Sequence, residues 1–276
     1  MKADLHMHTT DSDGVKTKEE LFELAKVAKM DLISFTDHDV CKNVEVSLTL
    51  AKEYGIDFIP GIELSTVYDN SPVHVLGFFR DESYKNEEMM SYYKWIKDNR
   101  EMRTHTMISN LKEFFDIEIT YEEVKGYARS VIARPHIAKA IHHNYPEYSF
   151  DYIFEEFIGD HSKAYVPSTR LSVKEGIELL RRNNCVVILA HPTLLKSSIK
   201  EAVLSHDFDG LEAKYYRNQK DEEEVFRELV LRRGMIVSAG SDFHGIENDG
   251  KHGNLGEVFL DGEDLKLFME LYKVKK

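Results

Sequence analysis

Cysteine is nearly absent from this 276-residue chain: Cys41 and Cys185 are the only two. Two thiols give no disulfide framework and too few donors for a thiolate zinc site. That scarcity suits a reducing compartment, and the expected location is the cytoplasm. Long apolar runs are also missing. No stretch approaches the roughly 20 residues that span a bilayer, so no membrane association is expected. The start, Met1-Lys2-Ala3-Asp4-Leu5-His6, holds no apolar signal stretch, and cleaving a leader there would remove functional residues named below. A basic excess is the third absence. Lys and Arg number 36 against 49 Asp and Glu, for a formal net charge of −13, which argues against broad sliding on duplex DNA. A small phosphorylated ligand or the end of a short oligonucleotide stays compatible. Divalent ions and a few arginines would hold it, the ions offsetting part of the charge. The sequence leaves the oligomeric state open.

What is present is a rhythm of strand and helix signals. With 42% hydrophobic residues, the chain can build a full core. Lys2 to His8 ends in a period-two pattern that puts His6 and His8 on one face. Thr17 and Glu20 form a capping box, followed by an apolar stripe of Leu21, Leu24, Ala25 and Ala28. Leu32 to Thr36 reads as a buried strand, Val44 to Tyr54 as a helix stopped by Gly55, and Asp57 to Ile62 and Val73 to Phe79 as two more strands. From about Asp81 to Pro167 the chain turns charged, aromatic and mostly helical. Alternation then returns: Ser172 and Glu175 cap a helix leading to Val186–Leu189, strands follow at Gly210–Ala213 and Met235–Ala239 around a helix from Asp221 to Arg233, and Glu263–Val274 closes the chain. Four strands before the helical segment and three after it predict an α/β fold, a seven-stranded parallel barrel of the TIM type with chemistry at its C-terminal strand ends. The expected division is 1–80 and 167–276 for the barrel and 81–166 for the insertion.

Acidic and histidine motifs fall next to the strands: Asp4-Leu5-His6-Met7-His8, Ser12-Asp13-Gly14, Thr36-Asp37-His38, Gly61-Ile62-Glu63, His74-Val75-Leu76-Gly77, Ala190-His191-Pro192 and Ser241-Asp242-Phe243-His244. One His-x-His means little by itself. Six histidines with Asp13, Asp242 and Glu63 mean more, because three carboxylates buried together without cations would repel one another and each would carry a desolvation cost. Imidazole and oxygen donors favour Mn²⁺, Fe²⁺ or Zn²⁺ in a multi-metal hydrolytic site.

In this ordered set the sequence resembles the polymerase and histidinol phosphatase (PHP) family, over Met1 to about Phe79 and Val166 to about Glu257. The resemblance implies a distorted seven-stranded β/α barrel with two to three divalent ions, Mn²⁺ foremost. It implies that His6, His8, Glu63 and Asp242 surround a first ion, that Glu63 bridges to a second held by His74 and His191, and that Asp13, His38 and His244 hold a third. A metal-activated water would attack phosphorus, and no side chain is assigned as general acid. Asp37 and Asp11 are candidates to orient ligand imidazoles, with helix or turn capping as the alternative. Gly240 and Gly245 are expected to allow tight turns around the last motif.

Within the insertion, Ala133-Arg134-Pro135-His136-Ile137-Ala138 resembles the segment of PHP members that hydrolyse nucleoside 3′,5′-bisphosphates. That likeness implies substrate contacts by Arg134 and His136, with the insertion acting as a cap. The alternative is Arg134 paired with a surface acid and His136 capping a helix. Arg100 and Arg103 read as a solvated helix face that could also meet an anion. Lys214 is open between a phosphate contact and a surface salt bridge. His105, His142, His143, His161, His206 and His252 match no ligand pattern and read as ordinary polar residues. The implied function is removal of the 3′-phosphate from bisphosphates such as pAp, with 5′-to-3′ trimming of short RNAs also allowed. Histidinol-phosphate phosphatase and a non-catalytic metal-binding or polymerase accessory module are the rivals.

Overall fold

Among the described residues, eight strands in the first and last parts of the chain hydrogen-bond into one sheet. A computed structural model describes residues 1–128 and 132–274. It comprises two compact units: Met1–Met90 with Arg170–Lys276, and Ser91–Thr169.

In the first unit the sheet is built from β1 (Lys2–Asp4), β2 (Leu32–Phe35), β3 (Asp57–Tyr68), β4 (Ser71–Phe79), β5 (Cys185–Leu189), β6 (Gly210–Tyr215), β7 (Ile236–Gly240) and β8 (Leu260–Asp261). Their order is β7-β6-β5-β4-β3-β2-β1-β8. The chain after β1 reaches back to the chain around β7: Leu5 N–H donates to Ala239 O at 3.3 Å, and Asp242 N–H to His6 O at 2.8 Å. The result is a nearly closed barrel. Helices α1 (Lys18–Val27) and α2 (Val44–Tyr54) cover its first part, packing Leu21, Phe22, Ala25, Leu50 and Ala51 with Met7, Ile33 and Phe35. The capping box of Thr17 and Glu20 starts α1. Its buried stripe differs from the expected one, for Phe22 is fully buried while Leu24 is 36% exposed. An aromatic ring buries more apolar area than the neighbouring leucine, and that sets the rotation of the helix.

The expectation of seven parallel strands is corrected in two respects. The short β8 adds an eighth, antiparallel to β1. More consequentially, β4 runs antiparallel to both β3 and β5. β3 does not stop near Ile62. It continues to Tyr68 and turns back through Asp69 and Asn70, whose φ values of 45° and 56° are those of a two-residue hairpin turn. So short a link leaves no room for the crossover a parallel neighbour requires.

The second unit carries its own core. The helix α3 (Glu87–Phe115) leads into it. α4 (Tyr121–Gly126), α5 (Arg134–Asn144), the single turn α6 (Phe150–Tyr152) and a π-helical turn at Ile153–Phe157 follow. Met107, Leu111, Val124, Ile137, Ile141 and Ile153 are buried together there. Among the described residues, no helix is long and apolar enough to cross a membrane.

Candidate metal centre

Strand periodicity gathers the donors. His6 and His8 are two residues apart and share a face. Ser65 lies directly opposite His74 in the β3–β4 ladder, and Glu63 is two residues before Ser65. The reversed strand therefore presents Glu63 and His74 on one face. Neither sits after a strand end, as the parallel scheme requires; the hairpin does what a crossover would have done.

Glu63 is the hub. Its Oε1 lies 3.1 Å from His74 Nδ1 and 3.0 Å from His191 Nε2, and its Oε2 lies 3.3 Å from His6 Nε2, 3.2 Å from His8 Nε2 and 3.1 Å from His38 Nδ1. Asp242 Oδ1 approaches His6 Nε2 at 3.3 Å and His8 Nε2 at 3.2 Å. Asp13 lies 3.3 Å from His244 Nε2, 3.5 Å from His8 Nδ1 and 3.7 Å from His38 Nε2. All nine candidate donors thus cluster together in the first unit. Among the described residues four sets have donor atoms close enough for one ion: His6, His8, Glu63 and Asp242; His8, Asp13, His38 and His244; His38, Glu63 and His74; and Asp242, His244 and His252, with His191 in none of them. His8 belongs to two of these sets, where the resemblance gave it only to the first.

The electrostatics of the pocket call for cations. Burial opposes charge on Glu63 and Asp242, yet the surrounding imidazoles hold both carboxyls well below their usual range. Burial also works against a charged His8, but Asp242 and Glu63 outweigh it and push the imidazole up to about 10. His38, where burial dominates, falls to about 3. Glu63 Oε2 and His38 Nδ1 are buried and, although 3.1 Å apart, are not aligned for a hydrogen bond. Divalent ions fit this donor set, because they would supply the positive charge the carboxylates require and take the unpaired atoms as ligands.

The supporting groups include two that the sequence reading passed over. Glu212 on β6 is fully buried; its Oε1 lies 2.9 Å from His6 Nδ1, and its Oε2 accepts the His191 backbone N–H at 2.8 Å. It fixes the His6 tautomer with Nε2 toward Glu63, and it anchors His191, whose φ of 26° lies outside the ordinary regions. Tyr215 O–H donates to Asp242 Oδ2 at 2.9 Å. A carboxylate inside the apolar run Gly210-Leu211-Glu212-Ala213 was the available signal. Asp37 holds no imidazole directly. It accepts from Thr9 N–H and O–H, both at 2.8 Å, and from Ser12 O–H at 2.6 Å, fixing the loop that carries Asp13. Asp11 instead pairs with Lys18 at 2.9 Å. Gly240 is required for close approach rather than for a turn, since a Cβ there would lie 2.2 Å from His6 Cβ, whereas Gly245 does take a positive φ of 71°. Lys214 sits 3.6 Å from Asp261 and 3.8 Å from Asp264, a surface salt bridge.

In the second unit, Arg134 Nη1 lies 2.6 Å from Asp160 Oδ1, and its guanidinium stands 5.3 Å from the centre of the Tyr165 ring. Arg103 is half-buried rather than solvated: it donates to Val166 O at 2.6 Å and lies over the same ring at 5.7 Å. His136 Nδ1 accepts the Ala133 N–H at 3.0 Å, closing the start of α5.

Comparison with known proteins identifies the family of this chain. The PHP domain profile matches residues 4–165, more than half of the chain. The chain belongs to the PHP domain family. The match contains six of the nine donors, and the fold brings His191, Asp242 and His244 to them. This PHP chain is 26% identical over 250 residues to a 5′-3′ exoribonuclease of Haemophilus influenzae, covering 88% of this chain and 90% of that one. It is 24% identical over 251 residues to a 3′,5′-nucleoside bisphosphate phosphatase of Chromobacterium violaceum, covering 87% and 86%. Among solved structures, one described as a metal-dependent phosphoesterase of Bifidobacterium adolescentis aligns with a TM-score of 0.77 and 27% identity, over 98% of this chain and 96% of that one.

Proposed function

We propose that this PHP chain is a metal-dependent phosphoesterase that removes the 3′-phosphate from nucleoside 3′,5′-bisphosphates, leaving 5′-nucleotides, and trims short RNAs from the 5′ end at the same site. The observation that carries the reading is the convergence of five imidazoles on the single buried carboxylate Glu63. His6, His8, Glu63 and Asp242 would hold one ion, His74 and His191 with Glu63 a second, and Asp13, His38 and His244 a third, with Mn²⁺ the first candidate for an oxygen- and imidazole-rich set. Such ions lower the pKa of water and take up charge on phosphoryl oxygens. The chain's own contribution is to aim the donors: Glu212 sets the His6 tautomer, Tyr215 restrains Asp242, and Asp37 ties down the Thr9–Ser12 loop. Arg134 is the proposed holder of the phosphate that is not cut, exchanging Asp160 for the substrate anion in a bidentate contact; His136 is the second proposed substrate contact.

Phosphate release from pAp, histidinol phosphate and AMP with added Mn²⁺ tests the reading. A preference for pAp is expected; a preference for histidinol phosphate would overturn the substrate assignment, and no release from any of the three would favour an accessory module. Arg134→Ala is expected to lower kcat/KM for pAp by roughly 10- to 100-fold, about what one strong ionic contact contributes, with metal content retained. Unchanged turnover would remove Arg134 from the site.

A further inference from the structure

The loop after β7 carries a histidine outside the nine-residue pattern. His252 stacks on His244 with ring centres 3.8 Å apart. A donor atom on it lies within 4.8 Å of donor atoms on both Asp242 and His244. Its Nδ1 is 2.6 Å from Asp249 Oδ2, and the other oxygen of Asp249 accepts the Lys251 N–H at 2.8 Å. This is the arrangement in which metal-bound histidines are commonly held: a carboxylate on one ring nitrogen leaves the other free to donate its lone pair. The loop itself is pinned beside the site, since Gly253 N–H donates to Ser241 O at 2.9 Å. His252 is half-buried, with 24% of its side chain exposed, so it sits where the buried centre meets solvent.

We propose that His252 is a tenth metal donor, oriented by Asp249, which completes the ion position nearest His244 and Asp242 and makes its occupancy depend on the loop from Gly245 to Gly256. This rests on the metal-centre reading above and adds a ligand to it. An imidazole at the rim would raise the affinity of the most exposed ion without closing the position to a substrate oxygen.

The test uses the full-length protein, stripped by chelation and titrated with Mn²⁺ by calorimetry and with Co²⁺ by visible absorption. His252→Ala is expected to weaken the last binding step by about 10-fold or more and to change the Co²⁺ spectrum of that step alone. Asp249→Asn, which keeps the imidazole, is expected to weaken the same step by a smaller factor. Circular dichroism of the stripped variants should match that of the unsubstituted protein. If the unsubstituted protein takes up ions and both variants give superimposable titrations, this inference falls while the metal centre stands. If the unsubstituted protein takes up none, both readings fall together.

Discussion

Both units have apolar cores, but the first also buries a cluster of ionisable side chains. In the first, fully buried positions include His6, His8, Glu63 and Glu212, each fixed by another polar group. In the second, the buried set is Met107, Leu111, Val124, Ile137, Ile141 and their apolar neighbours, while its polar contacts, such as Arg134 with Asp160, are part exposed. An apolar core lowers free energy as it forms. A buried cluster of carboxylates and imidazoles raises it until counter-charges arrive. In the first unit the imidazoles supply part of the counter-charge that Glu63 and Asp242 need, and a bound cation would supply more.

The sharpest way to break this contrast is at the hub. Glu63→Gln leaves five imidazoles without their shared carboxylate and is expected to cut kcat/KM by roughly 10²- to 10³-fold, in the range for losing one preorganised electrostatic contact. Bound metal, measured by elemental analysis on folded protein, should fall with it; full metal content and near-normal turnover would refute the hub role. Next in size is the converse experiment. Leu111→Ala opens a cavity in the second unit's core and is expected to cost about 2–5 kcal/mol there. Hydrogen exchange should quicken in α4 and α5 while metal content stays unchanged. A loss of metal in this variant would mean that the two cores are not energetically separate. The smallest effect is expected at Glu212→Gln, which keeps the shape but cannot accept from both His6 and the His191 backbone. Metal affinity should drop by about 10- to 100-fold, read by competition with a chelator. No change in affinity would reduce Glu212 to a structural residue.

Much of this was legible in the sequence because the signals are local. The capping boxes at Thr17 and Ser172 mark real helix starts, and Gly55 ends α2 with φ of 68°. Most of the candidate donors could be picked out because they lie beside apolar runs. Direction was not legible. The run holding His74 has the same alternation whichever way the strand points, and its reversal depends on a turn at Asp69 and Asn70 rather than on the run itself. Glu212 was hidden for a related reason: one carboxylate in a strand has no meaning until His6 and His191 arrive from distant parts of the chain. His252 was hidden because its loop has no periodicity to place it.

Taken alone, the amino-acid order determined the donor chemistry, the strand and helix rhythm and the faces that residues two apart must share, since all of these follow from local backbone geometry. Tertiary structure decided which way β4 runs, which carboxylate steadies which imidazole, that Arg134 rests against Asp160, and that His252 stands over His244. Those choices depend on contacts between segments remote in sequence, and their energies exist only once the chain has closed on itself.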